Sequence, residues 1–379
     1  MLARLRALSL RGIDYPLLLT VAVLLVLGLV MVYSASFGLN MAEEGRPTTT
    51  FLVRQAEWAA IGALALLVMA LIDYQTWRRW SIPIMAAALV ILIVLLFVRG
   101  GGDAQGEQPT AQRWLLGNSV QPSEIVKLAV IIYVADWLAS KGEKIRQLTY
   151  GMVPFAILLG VITGLIVLQP NFSTALIIVC TAVAMFFVAG ADIRQLLIGG
   201  LVGGASLGGL VRMSGYAWNR VTTFINDPLR DPLGHGYQTA QSVYALQAGG
   251  FFGVGLGNSA QKMGALYAAH TDAIFAIIGE ELGLIGTMFI IALYAIVAYR
   301  GLRIAMRCSD PFGALLATGV TSWLMFQALL HMGVVTATVP FTGITLPFLS
   351  FGGSSLVASL AGVGLLLSVS RGVQAGRVR

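Results

Sequence analysis

The chain has 379 residues, of which 57% are hydrophobic and 11% charged, with a mean hydropathy of +0.83 and a formal net charge of +7. A soluble domain carries about 25% charged residues, so this composition excludes a soluble globular enzyme, a disordered protein and a fibre, and leaves a polytopic membrane protein. In such a protein the excess Lys and Arg anchor cytoplasmic loops; no basic run is interleaved with aromatics, so no nucleic-acid partner is expected.

In chain order the apolar runs fall near residues 16–37, 55–72, 80–98, 122–139, 150–168, 171–189, 195–213, 272–298, 312–335 and 351–370. A transmembrane helix needs roughly 20 apolar residues. The predicted fold is therefore all-α, with about ten transmembrane helices in one integral membrane domain spanning 1–379. None of the runs alternates as a barrel strand does. The first lacks a small-residue cleavage site and reads as a retained helix rather than a signal peptide. Gln169-Pro170-Asn171 separates the fifth and sixth runs as a tight reversal. In the seventh, Gly199, Gly200, Gly203, Gly204, Gly208 and Gly209 follow small-xxx-small spacing, which predicts a helix-packing surface.

With the N-terminus placed in the cytoplasm, 15 cations fall on inner segments and 8 on outer ones, with Lys127 inside a run. Both termini are therefore expected in the cytoplasm. The outer segments are then 99–121, 214–271 and 336–350, the second being a long loop before the eighth helix. Loops of this length are more often functional than connective, so a site is expected on the outer face. Cys180, Cys308 and the three histidines show neither a disulfide framework nor metal-ligand spacing.

Five stretches could carry polar chemistry. Glu124 and Lys127 lie three apart at the start of the fourth run and share a helix face; an intramembrane pair either ties helices together or marks a functional site. Asp272, after His270 and Thr271, reads either as a helix-start carboxylate or as a general base tuned by its boundary position. Glu280 and Glu281, deeper in the same run, read as polar glue between helices. The Gly253-Val254-Gly255-Leu256-Gly257-Asn258 run lacks a preceding strand, so it reads as tight turns with Ser259, Gln261 and Lys262 exposed nearby, not as a dinucleotide loop. Pro340 to Ser355, with two prolines, three glycines and several hydroxyls, reads as a re-entrant or cavity-lining segment.

Taken together these motifs resemble one family. Arg113-Trp114 with Gln121-Pro122-Ser123-Glu124 and Lys127, Gln169-Pro170-Asn171-Phe172, and Arg220-Val221 with Tyr237-Gln238 and Gln241-Ser242 come first. Gly255-Leu256-Gly257-Asn258-Ser259 with Gln261-Lys262, His270-Thr271-Asp272 with Gly279 to Gly283, and Pro340 to Ser355 follow. In this order, over nearly the whole chain, they are similar to the SEDS (shape, elongation, division, sporulation) family, the FtsW/RodA-like proteins. The Gly-Asn-Ser-x-Gln-Lys segment leans toward the FtsW and SpoVE-like branch. The chain departs from the family pattern at Asn171, Tyr267, Ala268, Ala273 and His331.

The resemblance implies a ten-span peptidoglycan glycosyltransferase that uses lipid II, with the catalytic aspartate at Asp272. Arg113, Arg220, Lys262 and Lys127 are the cations expected to offset the leaving pyrophosphate. Gln121, Ser123, Glu124, Gln238, His270, Thr271, Ser354 and Ser355 complete the expected substrate-binding set. A divalent cation, Mg or Mn, is compatible with this chemistry, although no ligand set specifies one. The implied partners are a class B penicillin-binding protein transpeptidase and other divisome or elongasome proteins, in the cytoplasmic membrane with the active face outside. A lipid II flippase and a non-catalytic division scaffold remain the rival readings.

Overall fold

The computed structural model describes residues 12–42, 47–97, 121–227, 229, 236–266 and 268–376. Its helices are α1 (Tyr15–Ala42), α2 (Thr50–Leu71), α3 (Tyr74–Arg79), α4 (Ser81–Phe97), α5 (Pro122–Lys141), α6 (Val153–Val167) and α7 (Phe172–Val188). They continue with α8 (Ile193–Met213), α9 (Gly215–Ile225), α10 (Tyr237–Gly249), α11 (Ile274–Arg307), α12 (Pro311–Val335) and α13 (Gly353–Gly376). No strand occurs among the described residues. Each apolar run read from the sequence falls on a helix, because in hydrocarbon a helix alone satisfies every backbone N–H and C=O within one segment.

Among the described residues seven helices are long and apolar enough to cross a membrane, and α4 and α7 are shorter apolar helices. The chain is an integral membrane protein. Its core is centred on α13, which packs most closely against α2. Small residues bring the two together. A Cβ added at Gly62 would lie 2.5 Å from Leu360 Cδ1, and one at Gly364 would lie 2.5 Å from the Leu66 carbonyl oxygen.

The 214–271 stretch is not a plain loop. It folds into α9, α10 and a 3-10 turn at Gln261–Met263. Neither helix has the length of a span, so the hydropathy pattern passes over both. Between α10 and α11 the chain dips into the break in α11, where Gly283 has φ 66° and ψ −164°. The freed carbonyls of Glu280 and Glu281 accept from the N–H groups of Val254 and Gly255 at 2.9 and 3.1 Å. The freed N–H groups of Leu284 and Ile285 donate to Gly250 and Phe251 at 2.9 and 3.2 Å. This exchange needs bare backbone: a Cβ on Gly253 would sit 2.2 Å from the Glu281 carbonyl oxygen.

The glycine stripe of α8 is a second correction. Among the described residues nothing lies within 4 Å of a Cβ added at Gly200, Gly203, Gly204, Gly208 or Gly209, and Gly199 meets only Met152 Cε at 3.6 Å. The spacing builds a surface that a backbone can approach, but the rest of the described residues pack elsewhere and leave α8 with only Gln195, in its first turn, buried among them.

Candidate functional site

The N-terminal ends of α5, α7, α11 and α13 converge on one cavity of about 2060 Å³, measured to its open mouth. Each helix start carries a partial positive charge, so the four starts favour negative charge in the cavity, whose lining includes Glu124 and Asp272 as well as Lys127 and Arg220. Local sequence sets each start. Pro122 occupies the first turn of α5, and the N–H of Gln121 before it donates to Ser354 Oγ at 2.8 Å. Asn171 caps α7, its Oδ1 accepting from the Thr174 N–H at 3.3 Å. The irregular segment 339–345 forms a further wall, as expected of the Pro340–Ser355 stretch, and α8 contributes Leu207 and Val211.

Asp272 lies half-buried in this wall, one residue before the N-cap of α11. No side chain caps α11, so the carboxylate is not a helix cap. Burial pushes its pKa up to about 6, against the opposing pull of the Arg220 guanidinium and the Thr271 hydroxyl. Arg220, on α9, donates to the Phe341 carbonyl at 3.2 Å and sits over the Phe341 ring, 5.2 Å from its centroid. The backbone of Gly343 presses close enough that an added Cβ would lie 2.9 Å from Asp272 Oδ2.

Glu124 and Lys127 form the expected pair, Nζ to Oε1 at 2.9 Å, with both side chains buried and both lining the cavity. Lys127 Nζ also donates to Gln327 Oε1 at 2.7 Å and lies 5.1 Å from the centroid of the Trp323 ring. Gln327 then donates to the Thr345 carbonyl at 3.0 Å, joining the ion pair to the cavity wall. Glu124 Oε2 and Thr342 Oγ1 are buried without a hydrogen-bond partner among the described residues, and both belong to cavity-lining residues. They are the places where a ligand has hydrogen bonds to make.

Gln121, Arg220, Gln238, Thr271, Ser354 and Ser355 also line the cavity. Three expected site residues do not. Ser123 is buried beside it and accepts from Asn171 Nδ2 at 3.4 Å. His270 packs its ring against Phe51 and Phe351, with centroids 4.8 and 5.5 Å away, and burial lowers its pKa to about 4, so it brings no charge. Lys262, with Ser259, is buried rather than exposed: its Nζ contacts Glu281 Oε1 at 2.7 Å and Ser34 Oγ at 3.0 Å. Its charge is satisfied by a carboxylate in the bundle and is not offered to the cavity. Glu280 accepts from Ser259 Oγ and the Ala260 N–H, so both deep carboxylates act as polar glue, as expected. Arg113 lies outside the described residues.

Gln327 and Gln55 escaped the motif reading, and Ser350 was read only as part of the Pro340–Ser355 segment, with no role of its own. The signal available for the first two was an amide in an apolar run, which is costly in a membrane unless bonded. Among the described residues no group of three or more His, Cys, Asp or Glu side chains is arranged to hold a metal ion.

The FtsW/RodA/SpoVE family model, described as a cell cycle protein, matches residues 15–375. A probable peptidoglycan glycosyltransferase FtsW of Trichlorobacter lovleyi is 42% identical over 363 residues, covering 95% of this chain and 94% of its own. The stage V sporulation protein E of Bacillus subtilis is 41% identical, covering 94% and 97%. Among solved structures, a chain of a peptidoglycan synthase complex that coordinates polymerization and crosslinking matches with TM-score 0.78 and 27% identity, over 96% of this chain and 99% of that one. Rod shape determining protein RodA of Thermus thermophilus matches with TM-score 0.69 and 26% identity, over 95% and 97%.

Proposed function

The chain belongs to the FtsW/RodA/SpoVE family, and on that premise we propose that the cavity is the polymerising site of a peptidoglycan glycosyltransferase acting on lipid II. The observation that carries this reading is Asp272: a half-buried carboxylate that caps no helix, at a cavity onto which four helix N-termini and Arg220 converge. Asp272 takes the proton of an acceptor sugar hydroxyl while that oxygen bonds to the anomeric carbon of the donor. The bond from the anomeric carbon to phosphate breaks in the same event, and polyprenyl pyrophosphate leaves. The helix N-termini and Arg220 stabilise the charge that develops on it. Glu124 Oε2 and Thr342 Oγ1 accept from or donate to sugar or peptide groups.

Lys127 acts beside its buried partner and contributes less free charge than the sequence suggested, because Glu124 and Gln327 already engage it. The described residues supply no ligand set of their own for a Mg or Mn ion, and each step above rests on side chains and backbone. The flippase reading draws on buried charges as a polar path, but Glu280 and Glu281 are each bonded to fixed partners. We place the cavity on the outer face of the cytoplasmic membrane and expect a class B penicillin-binding protein with other divisome or elongasome proteins as partners.

The test is polymerisation of labelled lipid II by the purified protein. General-base catalysis contributes about 10²–10⁴-fold, so Asp272→Asn, which keeps the shape and removes the base, should lose polymerisation by that factor while still binding lipid II. Wild-type polymerisation by that variant would return Asp272 to a structural role.

A further inference from the structure

We propose that Gln55, on α2, is a positioning residue for Asp272, acting through segment 350–352, which bridges α2 to the turn before α11. The inference rests on the catalytic reading of Asp272 above.

Gln55 is fully buried, on a face of α2 that also carries Ala59 and Gly62. Its Nε2 donates to the Ser350 carbonyl at 3.1 Å, and its Oε1 accepts from the Gly352 N–H at 3.4 Å. One side chain thus grips a carbonyl and an N–H two residues apart, as a paired strand would. A primary amide carries its donor and its acceptor on separate atoms, so it engages both groups at once.

The gripped segment holds the catalytic turn in the same manner. Ser350 Oγ donates to the Thr271 carbonyl at 2.6 Å and accepts from the Leu346 N–H at 2.7 Å. The Phe351 N–H donates to the His270 carbonyl at 2.9 Å. The carbonyls of the two residues before Asp272 are therefore both fixed by residues 350 and 351. Phe51, one turn before Gln55, adds ring contacts to His270 and Phe351, with centroids 4.8 and 5.2 Å away.

The turn needs such a hold. Ala268 sits at φ +54°, a left-handed conformation costly for a residue with a side chain, and its carbonyl accepts from the N–H groups of Thr271 and Asp272. Strained turns persist where the surroundings over-determine them. Here those surroundings are the 350–351 backbone and, behind it, Gln55.

Gln55→Leu keeps the bulk and removes both hydrogen bonds. It should lower kcat per folded molecule about 10–100-fold, the scale expected of a small misplacement of a catalytic group, with a smaller change in KM. Hydrogen exchange of the amides at 269–273 should accelerate. The acidic limb of the pH profile should move below its wild-type position as water reaches the carboxylate, with Arg220 and the Thr271 hydroxyl still acting on it. Ser350→Ala should give the same three changes, and Ser350→Thr should restore them. A folded Gln55→Leu variant with wild-type kcat and an unmoved acidic limb would overturn the proposal, even if it were less stable. If Gln55→Leu does not fold, Ser350→Ala decides on the same readouts. Failure of the catalytic reading is distinguishable, since it shows as Asp272→Asn polymerising at the wild-type rate.

Discussion

At Asp272, desolvation outweighs the favourable pull of Arg220 and Thr271, and the carboxyl is displaced from 3.8 to about 6. Because the folded-state pKa is the higher one, the folded protein binds this proton more tightly than the unfolded chain does. The stability gained is complete below about 3.8 and is lost as the pH rises through about 6. At neutral pH the ionised group costs about 1–3 kcal/mol, allowing for its partial exposure. Asp272→Asn should therefore raise the thermal midpoint at pH 7.5 and show no gain near pH 4, as measured by thermal unfolding in detergent. Polymerisation by the wild type should rise through pH 6 as the base ionises. A midpoint gain that did not vary with pH would contradict this account of the carboxyl. Such opposition between stability and activity is usual where a charge is held partly dry for chemistry.

At the scale of the element, α11 joins the site to the bundle. Its upper end follows Asp272, and about two and a half turns from its start the helix breaks at Gly283 and takes in the 250–255 backbone. Glu281 in that break is tied to Lys262 at 2.7 Å and to Ser34 of α1 at 2.7 Å. Removing one partner of a buried ion pair costs about 3–5 kcal/mol, whereas replacing both with apolar groups costs far less. Lys262→Met should accordingly lower the thermal midpoint strongly, and the double variant with Glu281→Leu should recover much of the loss. A cycle in which the two losses simply add would mean that the pair is not coupled. The α8 glycines show the contrary case. Their spacing is that of a packing helix, yet the described residues of the chain leave that face open.

For the whole molecule, the cation bias and the shared orientation of α5, α7, α11 and α13 agree. All four begin at the cavity, so the cavity and the four N-termini lie on one side of the membrane. From the bias of Lys and Arg we propose that this side is the outer one. Asn226, beyond α9, and Glu143, after α5, are both exposed and lie on opposite sides in this arrangement. In a variant with Cys180 and Cys308 replaced by Ser, a cysteine at Asn226 should react with an impermeant thiol reagent added to intact spheroplasts. A cysteine at Glu143 should react only after lysis, and the reverse pattern would invert the topology.

The sequence by itself determined the helices and the place of Asp272 just before one of them, and it set the expectation of which segments face outward. These follow from properties that add up along the chain: about 20 apolar residues per span, breakers such as Pro170 between spans, and the distribution of cations. The cavity-lining role of Pro340–Ser355 was also legible, because irregular backbone at that depth needs protein around it. Tertiary structure decided what each buried polar group does. Lys127 and Lys262 were both expected to offset the pyrophosphate charge, yet one lines the cavity beside Glu124 and the other is held by Glu281. Gln55 and Gln327 are single amides in apolar runs until the fold brings Ser350 to one and Lys127 to the other. Burial in a bilayer is decided residue by residue, but a hydrogen bond needs a partner, and here the partners lie hundreds of residues away, as with Gln55 and Ser350, 295 apart. Only the folded bundle fixes which polar group meets which.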